Sequence, residues 1–141
     1  MIKLPEAVQE YFPYTSVRPH QDQFIKTVYD AVKAQRSILI EGSNGLGKTI
    51  SALSACLPIA VEKDLKILYV ARTHRQHERV IEELRAVCKK HAVSGVSLRG
   101  RNQMCLNTFA AKSASDARSL MEVCELLKAK GRCAYHRAPE E

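Results

Sequence analysis

Ser37-Ile38-Leu39-Ile40-Glu41-Gly42-Ser43-Asn44-Gly45-Leu46-Gly47-Lys48-Thr49 decides how the fold is read. Its first part is a short run of branched apolar residues, the pattern of a strand buried on both faces. Its second part, Gly42 to Thr49, matches G-x-x-x-x-G-K-[ST]. Glycines there allow dihedrals closed to other residues and let backbone N–H groups approach phosphates. A helix opening at Lys48 adds unpaired N–H donors and the positive end of its dipole. Lys48 is placed to reach the β- and γ-phosphates of a nucleoside triphosphate, and the Thr49 hydroxyl to help hold Mg²⁺. Gly42, Ser43, Asn44, Gly45, Leu46 and Gly47 complete the candidate nucleotide loop, with Lys48 and Thr49 as its catalytic candidates.

Working outward, helix-spaced apolar residues predict a helix over about Gln21–Lys33, another from Lys48, and a third over about Arg75–Lys90. Lys66–Ala71 and Val93–Leu98 read as further strands. Strands alternating with helices predict an α/β fold with a parallel sheet and right-handed crossovers. Residues 1–15 read as irregular. After residue 98 the alternation stops; Ser115–Lys130 reads as one helix and the rest as loop. Hydrolysis in such a fold uses a later strand ending in an acid that orients Mg²⁺ and water. Neither 66–71 nor 93–98 ends in Asp or Glu, and Glu62 and Asp64 follow the phosphate-loop helix.

The chain has 141 residues, 45% hydrophobic and 26% charged. This composition excludes disordered and collagen-like classes. No apolar run approaches the roughly 20 residues that span a bilayer. The leading MIKLPEAVQEYFPY lacks the basic and apolar regions of a signal peptide, so a cytoplasmic location away from membranes is expected. The net charge of +7 is uneven. Residues 1–71 carry eight basic and seven acidic side chains; residues 72–141 carry fourteen and eight. A basic second half suits a polyanion such as nucleic acid, or merely a solvated surface.

Arg18-Pro19-His20-Gln21 precedes the first helix. A glutamine amide can pair with the N6/N7 edge of adenine, so Gln21 is a candidate to select the base. Of five cysteines, Cys56 and Cys88 fall on core-facing helix positions. Cys105, Cys124 and Cys133 do not form the close pairs usual for zinc. Their wide spacing suits either a [4Fe–4S] cluster, which takes thiolates from separate segments, or plain buried thiols.

Several segments together resemble the XPD-type, superfamily 2, 5′-to-3′ DNA helicases, especially archaeal members. They are Phe12-Pro13-Tyr14 with Arg18 to Gln21, Glu41 to Thr49, Tyr69 to Gln76, and Leu98 to Cys105. The resemblance implies that residues 1–98 are the N-terminal part of a RecA-like first motor domain. It also implies that 99–141 are part of a mostly helical iron–sulfur domain. It puts Arg18 and Gln21 at the adenine, and the phosphate loop on ATP and Mg²⁺. Arg72, Thr73, His74 and Gln76 would lie in the segment that meets DNA, with Arg101 near the cluster or the DNA. Cys105, Cys124 and Cys133 would be three of four [4Fe–4S] ligands. No cysteine follows Cys133, and His136 is a weak substitute. The function implied is ATP-dependent unwinding of single-stranded or forked DNA, in DNA repair, with the remainder of a helicase chain as partner. Lacking the Mg²⁺-orienting acid and a second motor domain, the chain alone is expected to be inactive. The alternatives are a stand-alone nucleotide- or DNA-binding module, or a small P-loop NTPase with a zinc site.

Overall fold

A computed structural model describes residues 3–136. The chain divides into two compact units, Met1–Val96 and Ser97–Glu141. Among the described residues there are seven helices and no strand.

In the first unit, α1 spans Glu6–Tyr11, α2 Gln21–Lys33, α3 Lys48–Glu62 and α4 His74–Cys88. Helix α2 forms because Phe24, Ile25, Val28 and Ala31 recur on one face, and all four are buried. Helix α3 is apolar on several sides: Ile50, Leu53, Ala55, Leu57 and Ile59 are buried together. It is accordingly the central helix, touching α1, α2 and α4. Helix α4 is mostly polar and buries only Val87 and Glu83. Helix α1 lies where the sequence read as irregular. Its signal was the four-residue spacing of Leu4, Val8 and Phe12, all of which enter the same core. The Pro5 carbonyl starts it, accepting from the N–H groups of Val8 and Gln9 at 2.9 and 3.0 Å. The Tyr11 ring stacks on His91 at 4.3 Å, and His91 Nε2 lies 2.6 Å from the Glu10 carbonyl.

The expected parallel sheet is absent, which corrects the α/β, RecA-like reading. Residues 37–41, 66–71 and 93–98 make no ladder. A parallel strand is held only by neighbours that pair with its backbone and by layers that cover both faces. These segments lack both. Leu39 is fully exposed, and Leu68 and Val70 are 86% and 80% exposed. Of the apolar residues in these runs, Ile40 and Val93 pack partly against the core. The first unit is a helical assembly, with residues 37–41 and 66–71 lying outside its helices.

In the second unit, α5 spans Arg101–Met104, α6 Thr108–Ser113 and α7 Ala117–Ala129. Helix α7 touches both α5 and α6, with Leu120 and Ala110 buried. Asn107 caps α6 by accepting from the Ala110 N–H at 3.0 Å. Asp116 caps α7, accepting from the N–H groups of Ser119 and Arg118 at 2.8 and 2.9 Å. The Ser119 N–H is the main reason the Asp116 carboxyl is held below its usual range. No helix among the described residues is long and apolar enough to cross a membrane.

Candidate nucleotide site and the cysteine segment

The phosphate loop joins the extended segment ending at Gly42 to the N-terminus of α3. Gly45 and Gly47 both adopt the left-handed conformation, with φ of 85° and 82°. Glycine is needed at Gly47 for a second reason: a Cβ there would stand 2.5 Å from the Gln21 amide nitrogen. Leu46, between them, is buried and anchors the loop in the core. Asn44 and Ser43 are exposed at the tip, and Thr49 is half-buried in the first turn of α3. Lys48 is exposed and its Nζ donates to the carbonyls of Gly42 and Ser43, both at 2.9 Å. The ammonium therefore stands over the loop, beside the unpaired N–H groups of the first turn of α3. A cleft of about 350 Å³ opens alongside, between Phe24 and Thr27 of α2 and the segment Ile40–Ser43.

The turn before α2 is built into this loop. Gln21 is almost fully buried. Its Oε1 accepts from the Arg18 N–H at 3.0 Å, and its Nε2 donates to Ser51 Oγ at 3.0 Å. Ser51 Oγ in turn donates to the Gly47 carbonyl at 2.8 Å. The Arg18 guanidinium donates to the Gly45 carbonyl. The structure thus brings Arg18 and Gln21 together with the phosphate loop.

Arg72, Thr73, His74 and Gln76 lie at the start of α4, all exposed. Thr73 and Gln76 form a capping box. Thr73 Oγ1 accepts from the Gln76 N–H at 3.3 Å, and Gln76 Oε1 accepts from the N–H groups of Arg72 and Thr73 at 3.1 and 3.2 Å. The first turn of α4 carries no acid but holds His74 and Arg75. Cations at a helix N-terminus oppose its dipole, so this turn is poor for helix stability and good for meeting an anion.

A contact that the sequence did not reveal ties α4 to the segment before α2. The Tyr14 hydroxyl donates to Glu83 Oε2 at 2.6 Å, and Arg79 pairs with Glu83 Oε1 at 2.5 Å. Glu83 is buried. Its carboxylate, accepting from the phenol, pushes the Tyr14 hydroxyl above its ordinary value. Tyr14→Phe is expected to lower stability by about 1 kcal/mol near neutral pH, the usual worth of a hydrogen bond at a half-exposed site. A raised folded-state value means that this contribution is complete below the unfolded tyrosine's titration near pH 10. It is lost as pH climbs through the higher folded value. Urea melts of both proteins from pH 7 to 11 check this; equal stability at pH 7 would remove the bond from the account.

In the second unit, Arg101 opens α5 and is exposed. Cys105 follows α5, Cys124 sits on α7, and Cys133 follows the turn after α7; all three are half-buried. Gly131, at φ 61°, makes that turn possible. The turn brings Cys133 to Asn107, whose Nδ2 donates to Cys133 Sγ at 3.8 Å, while Cys105 Sγ donates to the Asn107 carbonyl at 3.9 Å. Two of the three cysteines thus flank one residue. No group of three metal-ligating side chains comes together among the described residues. The Tyr135 N–H, with help from Asn107, lowers the Cys133 thiol below its ordinary value, whereas burial pushes the Cys56 thiol up. Thiolate is the reactive form. Iodoacetamide near neutral pH is therefore expected to label Cys133 before Cys56 in time-resolved peptide mapping; the reverse order would contradict these environments.

Comparison with known proteins bears on the same residues. The DEAD_2 family profile matches residues 69–141, more than half of the chain. The chain belongs to the DEAD_2 family. This DEAD_2 chain is 27% identical over 106 residues to a probable ATP-dependent helicase of Methanocaldococcus jannaschii, covering 75% of the chain and 16% of the relative. It is 29% identical over 119 residues to the general transcription and DNA repair factor IIH helicase subunit XPD of Arabidopsis thaliana, covering 77% and 16%. The Dictyostelium discoideum XPD subunit is 31% identical over 78 residues, covering 55% and 10%. The chain is of the XPD type and spans about a sixth of the length of the first two relatives. No solved structure matches it. The DEAD_2 match takes in the start of α4 and all three cysteines of the second unit.

Proposed function

We propose that this DEAD_2 chain is the ATP-binding and DNA-contacting N-terminal part of an ATP-dependent 5′–3′ DNA helicase that serves DNA repair. The observation that carries it is the phosphate loop: two left-handed glycines, a free helix N-terminus and the Lys48 ammonium over them. Lys48 would bind the β/γ-phosphates, and Thr49 would help hold Mg²⁺, which neutralises charge on the phosphates when bound. Arg72, His74 and Arg75, at the start of α4, would meet the phosphates of single-stranded or forked DNA. Segments 66–71 and 93–98 end in no Asp or Glu that would orient water at the metal, so binding without useful turnover is the expected behaviour of the chain alone.

Cys105 and Cys133, both against Asn107, suit two neighbouring thiolate ligands, with Cys124 as a third. A [4Fe–4S] cluster takes each thiolate on a different iron, so its ligands stand farther apart than those around one zinc ion. The wide sequence spacing of these cysteines, with no close C-x₂₋₄-C pair, favours the cluster over zinc. Its role would be to fix the fold of the second unit.

Calorimetric titration of the chain with ATP and Mg²⁺ tests the nucleotide reading, and heat indistinguishable from buffer sinks it. Titration with labelled single-stranded DNA across a salt series tests the DNA reading, where a flat response would refute phosphate contacts. Metal analysis after anaerobic purification separates iron from zinc.

A further inference from the structure

We infer that Gln21 is a positioning residue for the phosphate loop, and that the site takes nucleoside triphosphates by their phosphates without Gln21 reading the base. The inference rests on the nucleotide reading above and specifies its substrate class.

Reading the N6/N7 edge of adenine requires both ends of a glutamine amide to face the ligand. Here both ends face inward. Oε1 holds the Arg18 N–H, and Nε2 holds Ser51 Oγ. An amide oxygen and an NH₂ group each have capacity for a second bond. At 2% exposure, though, the Gln21 side chain offers no surface where a base could use it. Turning it outward would leave the Ser51 hydroxyl without its donor in a fully buried place.

The same bonds have an evident use. Ser51 Oγ passes the contact on to the Gly47 carbonyl, while Arg18, from the same turn, holds the Gly45 carbonyl. Both left-handed residues of the loop are therefore held from one turn of chain. Gly47 backbone approaches the Gln21 amide so closely that no side chain fits between them. A loop fixed in its binding shape loses less freedom on meeting a phosphate, so the bracket raises affinity for any ligand that carries the triphosphate.

The test is calorimetric titration of the whole chain with Mg²⁺ complexes of ATP, GTP and inorganic tripolyphosphate. The wild-type chain should bind ATP and GTP within about threefold of each other. Gln21→Ala should weaken all three ligands by the same factor, about tenfold for one lost bond of this kind. Ser51→Ala should reproduce that pattern, and Ser51→Thr, which keeps the hydroxyl, should restore most of the affinity. Circular dichroism at the titration temperature confirms that each variant is folded; the Ser51 pair carries the test if Gln21→Ala is not. A Gln21→Ala loss confined to ATP, with tripolyphosphate unchanged, would overturn the inference, as would a wild-type preference for ATP over GTP beyond tenfold. Absence of binding by all three wild-type complexes would instead overturn the nucleotide reading itself.

Discussion

Ile25→Ala is expected to unfold the first unit at temperatures where the wild-type chain is intact. Ile25 has no exposed surface and lies in the core shared by α1, α2 and α3. Truncating a buried isoleucine removes its transfer free energy and leaves a cavity, together worth about 2–5 kcal/mol. A domain's whole stability is only about 5–15 kcal/mol. In a unit of this size each kcal/mol moves the melting temperature by roughly 4–8 °C. A fall of at least about 10 °C in the circular dichroism melt is the expected reading, and a fall below about 4 °C would show that Ile25 is not in the core. The packing makes the effect large. Ile25 sits at the centre of the face that α2 presents, and α3 cannot close the gap because it is also held by α1 and α4.

Lys48→Ala is expected to weaken triphosphate binding by roughly ten- to a hundredfold while leaving the melting temperature within a few degrees of wild type. Lys48 is exposed, and its two bonds go to carbonyls at the loop surface, so the fold loses little. A bound triphosphate loses a charge-assisted contact of about 1.5–3 kcal/mol, which is that roughly ten- to hundredfold weakening. Calorimetry with ATP and Mg²⁺ measures it. Lys48→Arg keeps the charge but not the compact ammonium, and should recover only part of the affinity. An unchanged affinity in Lys48→Ala would remove the loop from the function proposed.

Helices α2, α3, α4 and α7 were legible because their signal is local: apolar residues three and four apart share a face whatever surrounds them. The three expected strands did not form. Leu39, Leu68 and Val70 read as buried because they are apolar and branched or adjacent to branched residues, but burial needs neighbours supplied by the rest of the fold. A sequence window shows the demand for a partner and not the partner. The left-handed glycines Gly45 and Gly47 and the helix opening at Lys48 were also legible, from the spacing of the motif. What Gln21 touches was not, since Ser51 lies 30 residues away. The Tyr14–Glu83 bond, across 69 residues, was equally out of reach. Thr73-His74-Arg75-Gln76 carried a readable signature, a threonine followed three residues later by glutamine. The apolar spacing puts the helix start at about Arg75, one residue past the observed start at His74, but does not reveal the capping box.

The Lys48 ammonium already has two oxygen partners before any nucleotide arrives. An ammonium has three N–H donors, so on the function proposed a phosphate would take the third and compete with the two carbonyls only for the others. A measured affinity would then report, in part, a difference between carbonyl and phosphate contacts at the same nitrogen.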